Sequence, residues 1–82
     1  MKLALLWMDT DKKKSLAQVV AEAAAFYESK YGDKPNLVHV NRLALDGSES
    51  KIIIRVVKSK LIMKGHYWIG IDGNDEPLVK RE

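Results

Sequence analysis

The chain has 82 residues, so we expect residues 1 to 82 to form one small domain with a single core. It contains no cysteine, which excludes a disulfide framework and thiolate-based metal or redox sites, and a reducing, cytoplasmic setting is the simplest expectation. The net charge of +3 permits an acidic partner without requiring one.

The first predicted element is a strand over residues 2 to 8, KLALLWM. Apolar residues occupy both of its alternating faces, which is typical of a central strand covered on both sides. The apolar start resembles a secretion signal, but Asp9, Asp11 and three lysines follow where the apolar region of a signal would continue, so we expect no leader. No segment approaches the length that spans a bilayer, and no membrane association is expected.

Residues 15 to 32 carry the clearest pattern in the chain, which predicts an amphipathic helix. Ser15 fits the N-cap position and Gln18 the third helical position of a capping box. Gly32 and Pro35 indicate where the helix ends. Apolar side chains recur at three- and four-residue steps and predict a core-facing stripe, formed by Leu16, Val19, Val20, Ala23, Phe26, Tyr27 and Tyr31.

Three further strands are predicted after the helix, over residues 36 to 41 (NLVHVN), 51 to 58 (KIIIRVVK) and 66 to 72 (HYWIGID). Residues 43 to 45 either extend the second strand or form a short strand of their own. Residues 59 to 65 either begin the last strand or pack as a connection. We expect the tail from about residue 76 to be frayed.

This order of elements predicts an α+β fold, β-α-β-β-β, with one amphipathic helix packed on one face of a mixed sheet of about four strands. A crossover through the helix makes the first two strands parallel. One helix covers one face of the sheet, yet the first and third strands carry apolar residues on both faces. Because monomers seldom expose a large apolar patch, we favour a homodimer joined through the uncovered face. The alternative is that residues 61 to 63 and the C-terminal tail cover that face.

Polar side chains follow the first two predicted strands: Asp9 and Asp11 after the first, and Asn41 at the end of the second. Ligands tend to bind outside the carboxyl ends of parallel strands, and carboxylate and amide oxygens suit Mg²⁺. A metal-dependent phosphodiesterase is therefore one hypothesis. We favour the simpler interpretation that the two acids form a turn near the helix N-terminus, and we expect no cofactor.

The two histidines, His39 and His66, would form an acid–base pair or share a metal if their strands placed them on one face of the sheet. The sequence indicates no third ligand for such a metal. We therefore favour packed or edge positions for both, and predict no catalytic residue.

A basic cluster with neighbouring aromatic residues is the candidate nucleic-acid site, formed by Arg55, Lys58, Lys60 and Lys64. Cationic side chains neutralise phosphates, and exposed rings such as those of Tyr67 and Trp68 stack on bases. We favour the simpler interpretation that the charges protect a sheet edge from aggregation and that Trp68 fills the core.

Three stretches, LALLWMD, KYGDKPN and GHYWIG, together resemble short uncharacterised bacterial proteins that share an LLW-[FYM]-D start and a GH-[FY]-W-[IV]-G end. The similarity covers most of the chain and implies a bacterial origin without implying an activity. The aspartate at the end of the first strand is also similar to that of small ferredoxin-like metal-dependent nucleases. This chain lacks the second helix of that family.

The sequence as a whole predicts a small, non-enzymatic binding or assembly module that self-associates through the sheet face. The alternatives are a basic nucleic-acid-binding module and a metal-dependent phosphodiesterase that uses Asp9 and Asp11. The sequence identifies no small-molecule ligand.

Overall fold

The computed structural model describes residues 3–71. One helix and four strands form the fold: β1 (Leu3–Met8), α1 (Leu16–Tyr31), β2 (Leu37–Asn41), β3 (Arg55–Ser59) and β4 (His66–Ile71). The predicted α+β fold, with one helix and a mixed sheet of four strands, is confirmed. The tail predicted to fray lies outside the described residues, and within residues 3–71 no helix has the length and apolar content that crossing a membrane requires.

The strands lie side by side in the order β1-β4-β2-β3. β4 is antiparallel to both β1 and β2, so β1 and β2 run in the same direction, as predicted, without touching. β3 is parallel to β2. The expectation that β1 is a central strand is wrong, because β1 lies at the edge of the sheet. The sequence pattern of β1 shows that both of its faces are apolar, but it does not indicate which strands lie beside it.

The helix begins and ends as predicted. The Ser15 hydroxyl accepts a hydrogen bond from the Gln18 N–H at 3.1 Å. Gly32 adopts the left-handed conformation, with a φ of 84°, and its N–H donates to the Glu28 carbonyl. Both caps satisfy backbone groups that the helix itself leaves unpaired.

The core lies between α1 and one face of the sheet. It joins one stripe of the helix to inward-facing residues of β2 and β4, namely Leu16, Val19, Val20, Ala23, Tyr27, Val38, Val40, Tyr67 and Ile69. Tyr27 is fully buried, whereas Phe26 is 46% exposed, so the expectation that Phe26 faces the core is wrong. Phe26 lies at the side of the helix against Trp7 of β1, with 5.3 Å between the ring centroids.

The connection between β2 and β3 passes the N-terminus of α1. Two short 3-10 helices, Arg42–Ala44 and Ser48–Lys51, form within it. The first replaces the strand considered for residues 43 to 45. The predicted third strand began at residue 51, but pairing begins at Arg55 because its partner strand β2 begins at Leu37, directly opposite.

The connection between β3 and β4 crosses the carboxyl end of β2. The Asn41 side chain fixes it there by donating to the Ile62 carbonyl at 2.7 Å. Leu61 is 91% exposed and Met63 67% exposed. Residues 61 to 63 therefore belong to a connection, and these two side chains do not cover the sheet.

Candidate functional site

The sheet face opposite α1, called the open face below, is the main candidate site. Strand alternation and the pairing register place twelve described residues on it: Ala4, Leu6, Met8, Leu37, His39, Asn41, Arg55, Val57, Ser59, His66, Trp68 and Gly70. The predicted separation of each strand into two faces agrees with this arrangement. None of these twelve residues belongs to the core cluster beneath α1, although Leu37 on this face is only 3% exposed.

A row of four side chains crosses the open face from β1 to β3. Leu6 pairs with Trp68, Trp68 pairs with His39, and His39 pairs with Val57. Trp68 is 40% exposed and Leu6 43% exposed. A tryptophan in the middle of a sheet, exposed to this extent, offers a flat apolar surface together with an indole N–H donor.

The open face has no negative charge among its described residues, since the twelve include neither aspartate nor glutamate. Arg55 is an exposed member of the face and carries a positive charge. His39 and His66 add polar rings to the same face. The electrostatic character of this face therefore favours a neutral or anionic partner.

The four basic candidates do not form a single patch. Arg55 lies on the open face, whereas Lys58, three residues along β3, lies on the opposite face. Lys58 and Lys60 line a shallow recess together with Arg42. Lys64 lines a different cleft. Sequence reasoning missed Arg42, whose only signal was its position directly after a strand.

Asp9 and Asp11 form the turn that follows β1. Asp9 accepts from the Asp11 N–H at 2.9 Å and from the Lys14 ammonium at 3.0 Å. The Asp11 carboxylate accepts from the Lys13 N–H at 2.9 Å. The backbone hydrogen bond from Asp11, followed by the contact with Lys14, lowers the pKa of the Asp9 carboxyl. These contacts are those of turn-forming residues.

Lys14 joins this turn to the helix. Its ammonium contacts Glu22 at 2.8 Å as well as Asp9. The hydrogen bond with Glu22, followed by that with Asp9, raises the pKa of Lys14 above its usual range. The charge of Lys14 is therefore shared between two carboxylates.

Asn41, the third metal candidate, is not associated with the two aspartates. β4 separates β2 from β1, and Asn41 does not line the cleft that Asp9 and Asp11 line. Its amide accepts from the Leu43 N–H and donates to Ile62, both at 2.7 Å. Within residues 3–71 no three histidine or acidic side chains are placed to hold a metal ion. The geometry gives the phosphodiesterase hypothesis no support.

The cleft beside this turn has a volume of about 430 Å³ and lies at the N-terminus of α1. Two side chains from the loop after β2 cap the helix there. The Asp46 carboxylate accepts a hydrogen bond from the Leu16 N–H at 2.9 Å, and the Ser48 hydroxyl accepts one from the Ala17 N–H at 2.9 Å. The hydrogen bond from the Ser48 hydroxyl, followed by that from Leu16, lowers the pKa of Asp46 to about 2. The helix N-terminus is thus satisfied from within the chain.

The two histidines do lie on one face of the sheet. His39 is opposite Trp68, and His66 is opposite Met8. The Nδ1 atom of His66 lies 3.1 Å from the Lys64 carbonyl. Both residues are half-buried on interior strands, so of the packed and edge positions favoured from the sequence, the edge position is wrong.

Comparison with known proteins finds no matching family model, no matching curated protein and no matching solved structure.

Proposed function

We propose that the protein is a small, non-enzymatic binding or assembly module that self-associates through the open face of its sheet. The observation that carries this proposal is the exposure of Leu6, Met8 and Trp68 on the face that α1 does not cover. These side chains are 43%, 65% and 40% exposed, respectively. Soluble monomers seldom leave clustered large apolar side chains in contact with water.

The main favourable contribution to this contact is the covering of exposed apolar area. The exposed parts of these three side chains amount to roughly 300 Å² per copy, or roughly 600 Å² for two copies. At about 25 cal/mol per Å², covering them would contribute on the order of 15 kcal/mol. The loss of translational and rotational freedom opposes association by roughly 4–15 kcal/mol, so we expect the extent of association to depend on protein concentration.

The test is the molar mass in solution, measured by light scattering over a range of protein concentrations. We expect the natural sequence to form an assembly larger than the monomer and Trp68→Glu to shift it toward a smaller mass, because the new charge lies in the middle of the open-face contact. Leu61→Glu is the matched control, since Leu61 is 91% exposed and lies outside the open face. A monomer at high concentration, or equal effects of the two variants, would refute the proposal.

A basic nucleic-acid-binding module is the second candidate, and one observation favours it. Trp68 is exposed on the sheet, contrary to the expectation that it fills the core, and it lies beside His39 on a face whose described residues include no acid. Stacking of a base on an exposed ring contributes roughly 1–3 kcal/mol. Arg55 on the same face would contact phosphates directly. Lys58, Lys60 and Lys64 lie on other surfaces and would attract the nucleic-acid backbone at longer range.

This second candidate predicts a specific pattern of loss. Trp68→Ala should weaken binding to single-stranded RNA or DNA about 5- to 150-fold, as the loss of one stacked base implies. Replacing Lys58, Lys60 and Lys64 with glutamate should reduce the dependence of affinity on salt. Fluorescence anisotropy with labelled oligonucleotides at low and moderate salt measures both effects. Absence of binding at low salt would eliminate this candidate and leave self-association unaffected.

A further inference from the structure

We propose that β1 is an intermolecular pairing edge, through which two copies of the chain join their β1 strands antiparallel into one continuous eight-stranded sheet. This inference rests on the proposed assembly role but uses a different surface, the edge of the sheet rather than its open face. Among residues 3–71, β1 pairs with β4 alone. Its other side therefore presents backbone groups that a second strand can bind.

The register with β4 identifies the backbone groups that point outward. The Asp9 N–H donates to the Gly65 carbonyl at 2.9 Å, directly after the paired residues of the two strands. Backbone groups alternate in direction along an antiparallel strand, so the odd-numbered residues of β1 face β4. The N–H and C=O groups of Ala4, Leu6 and Met8 face away from β4.

The two edges of the sheet differ in how they are protected. β3, at one edge, carries Arg55 and Lys58 within five residues. β1, at the other edge, has six residues with neither charge nor proline, and its register with β4 is unbroken. Charges, prolines and bulges are the usual means by which sheet edges avoid pairing with other chains. Only the β3 edge is protected by charge, which singles out β1 as the pairing edge.

The sequence of β1 is complementary to itself in the antiparallel direction. A two-fold axis at Leu6 places Leu6 opposite Leu6 of the second copy and the small Ala4 opposite the long Met8. On the other side of the sheet, Leu5 lies opposite Trp7. All three outward-facing residues then meet outward-facing residues, which allows about six inter-chain backbone hydrogen bonds.

Exposed apolar side chains flank this edge on both sides of the sheet. Leu6 and Met8 lie on the open face, and Phe26, which is 46% exposed, lies beside Trp7 on the helix side. These three expose roughly 300 Å² per copy, and the unpaired edge of a strand about 20 Å long adds to this area. Two copies together approach the ~1,000 Å² that a specific interface requires.

Single-cysteine variants test this register, because the natural chain contains no cysteine. In the proposed dimer the two Leu6 Cα atoms are about 5.5 Å apart, a separation that a disulfide accepts. We expect Leu6→Cys to form a disulfide-linked dimer under mild oxidation at least about tenfold faster than Ile53→Cys, because pairing raises the effective thiol concentration. Ile53 is 99% exposed, so the crosslinking rate of Ile53→Cys gives the rate expected from random collision.

Trp68→Cys separates the edge contact from the open-face contact. In the edge dimer the two β4 strands are three strand spacings apart, or about 14 Å, so the edge contact by itself would crosslink this variant no faster than Ile53→Cys, whereas the open-face contact would crosslink it fast. Fast crosslinking of Trp68→Cys with slow crosslinking of Leu6→Cys would overturn the edge contact and support the open-face contact. Slow crosslinking of both, with a monomeric mass, would refute both contacts.

Proline substitution tests the backbone hydrogen bonds themselves. Ala4→Pro removes an N–H group that points away from β4. The hydrogen bonds between β1 and β4 stay intact, since proline is tolerated where its nitrogen faces away from the paired strand. We expect it to weaken the dimer about tenfold or more, whereas Lys58→Pro on the exposed β3 edge should leave the dimer unchanged. Equal dimer affinity in two folded variants, verified by circular dichroism, would contradict the proposal.

Discussion

Replacing Asp46 with alanine should destabilise the fold and change its dependence on pH. The Asp46 carboxylate accepts from the Leu16 N–H at 2.9 Å, so a loop thirty residues away closes the first turn of α1. Loss of a side-chain N-cap typically costs about 0.5–2 kcal/mol. The Ser15 and Ser48 caps remain in the variant, so we expect a loss of about 1 kcal/mol at neutral pH.

The pH dependence of this contribution follows from the lowered pKa of Asp46. The carboxyl has a pKa of about 2 in the folded chain, compared with an ordinary value of 3.8. A lowered folded pKa means that the stabilisation is complete above the ordinary value and is lost as the pH falls through about 4 toward 2. The difference in stability between the natural chain and Asp46→Ala should therefore be largest at neutral pH and smallest near pH 2.

Urea unfolding at several pH values, followed by tryptophan fluorescence, measures this difference. Asp33→Ala is the matched control, because Asp33 is an exposed carboxylate beyond the other end of the helix. The control should change the free energy of unfolding by less than about 0.5 kcal/mol. A pH-independent difference, or one equal to that of the control, would refute the assigned role of Asp46.

Three further predictions concern the fold and are measured as free energies of unfolding in urea. Tyr27→Ala should cost about 3–5 kcal/mol because the side chain is fully buried, and Phe26→Ala should cost clearly less because that ring is 46% exposed; equal costs would mean that the helix is rotated. Asn41→Ala should cost about 1–3 kcal/mol, since it leaves two backbone groups without their partner; no loss would show that water replaces the amide. Gly65→Ala should lower the free energy of unfolding more than Gly47→Ala. Both glycines have positive φ, but only at Gly65 would the new Cβ lie 3.0 Å from a Thr10 methyl group. The reverse order would contradict this packing.

Local patterns in the sequence predicted the elements that depend on local interactions. Ser15 and Gly32 were identified as helix caps because each acts within one turn of its own position. The two faces of each strand followed from alternation alone. Asp46 and Ser48 were missed as caps, because they act on the helix from about thirty residues away. No rule based on spacing finds a contact of that range.

The position of β1 shows the same limit at the level of the sheet. The sequence indicated that both faces of β1 are apolar. Its neighbour in the sheet, however, is β4, the last described strand along the chain. Alternation reports which way side chains point and gives no information on which strand supplies the hydrogen bonds. Phe26 shows the corresponding limit for helices. Adjacent residues are about 100° apart around the helix axis, so at the border of an apolar stripe only packing decides which of two neighbours is buried.

Pairing through β1 would also extend the candidate site. In the proposed register Leu6 is opposite Leu6 of the second copy, and Leu6 is already opposite Trp68 within each copy. The row from Val57 to Leu6 therefore continues into its symmetric counterpart, giving eight side chains in line across both sheets.

The two helices lie on the same side of this joint sheet, because the two-fold axis is perpendicular to it. The open faces become one surface, with two tryptophans about 14 Å apart, on which one extended partner can contact both copies. Edge pairing and open-face binding are thus compatible, because Trp68, His39 and Val57 of both copies lie outside the edge contact.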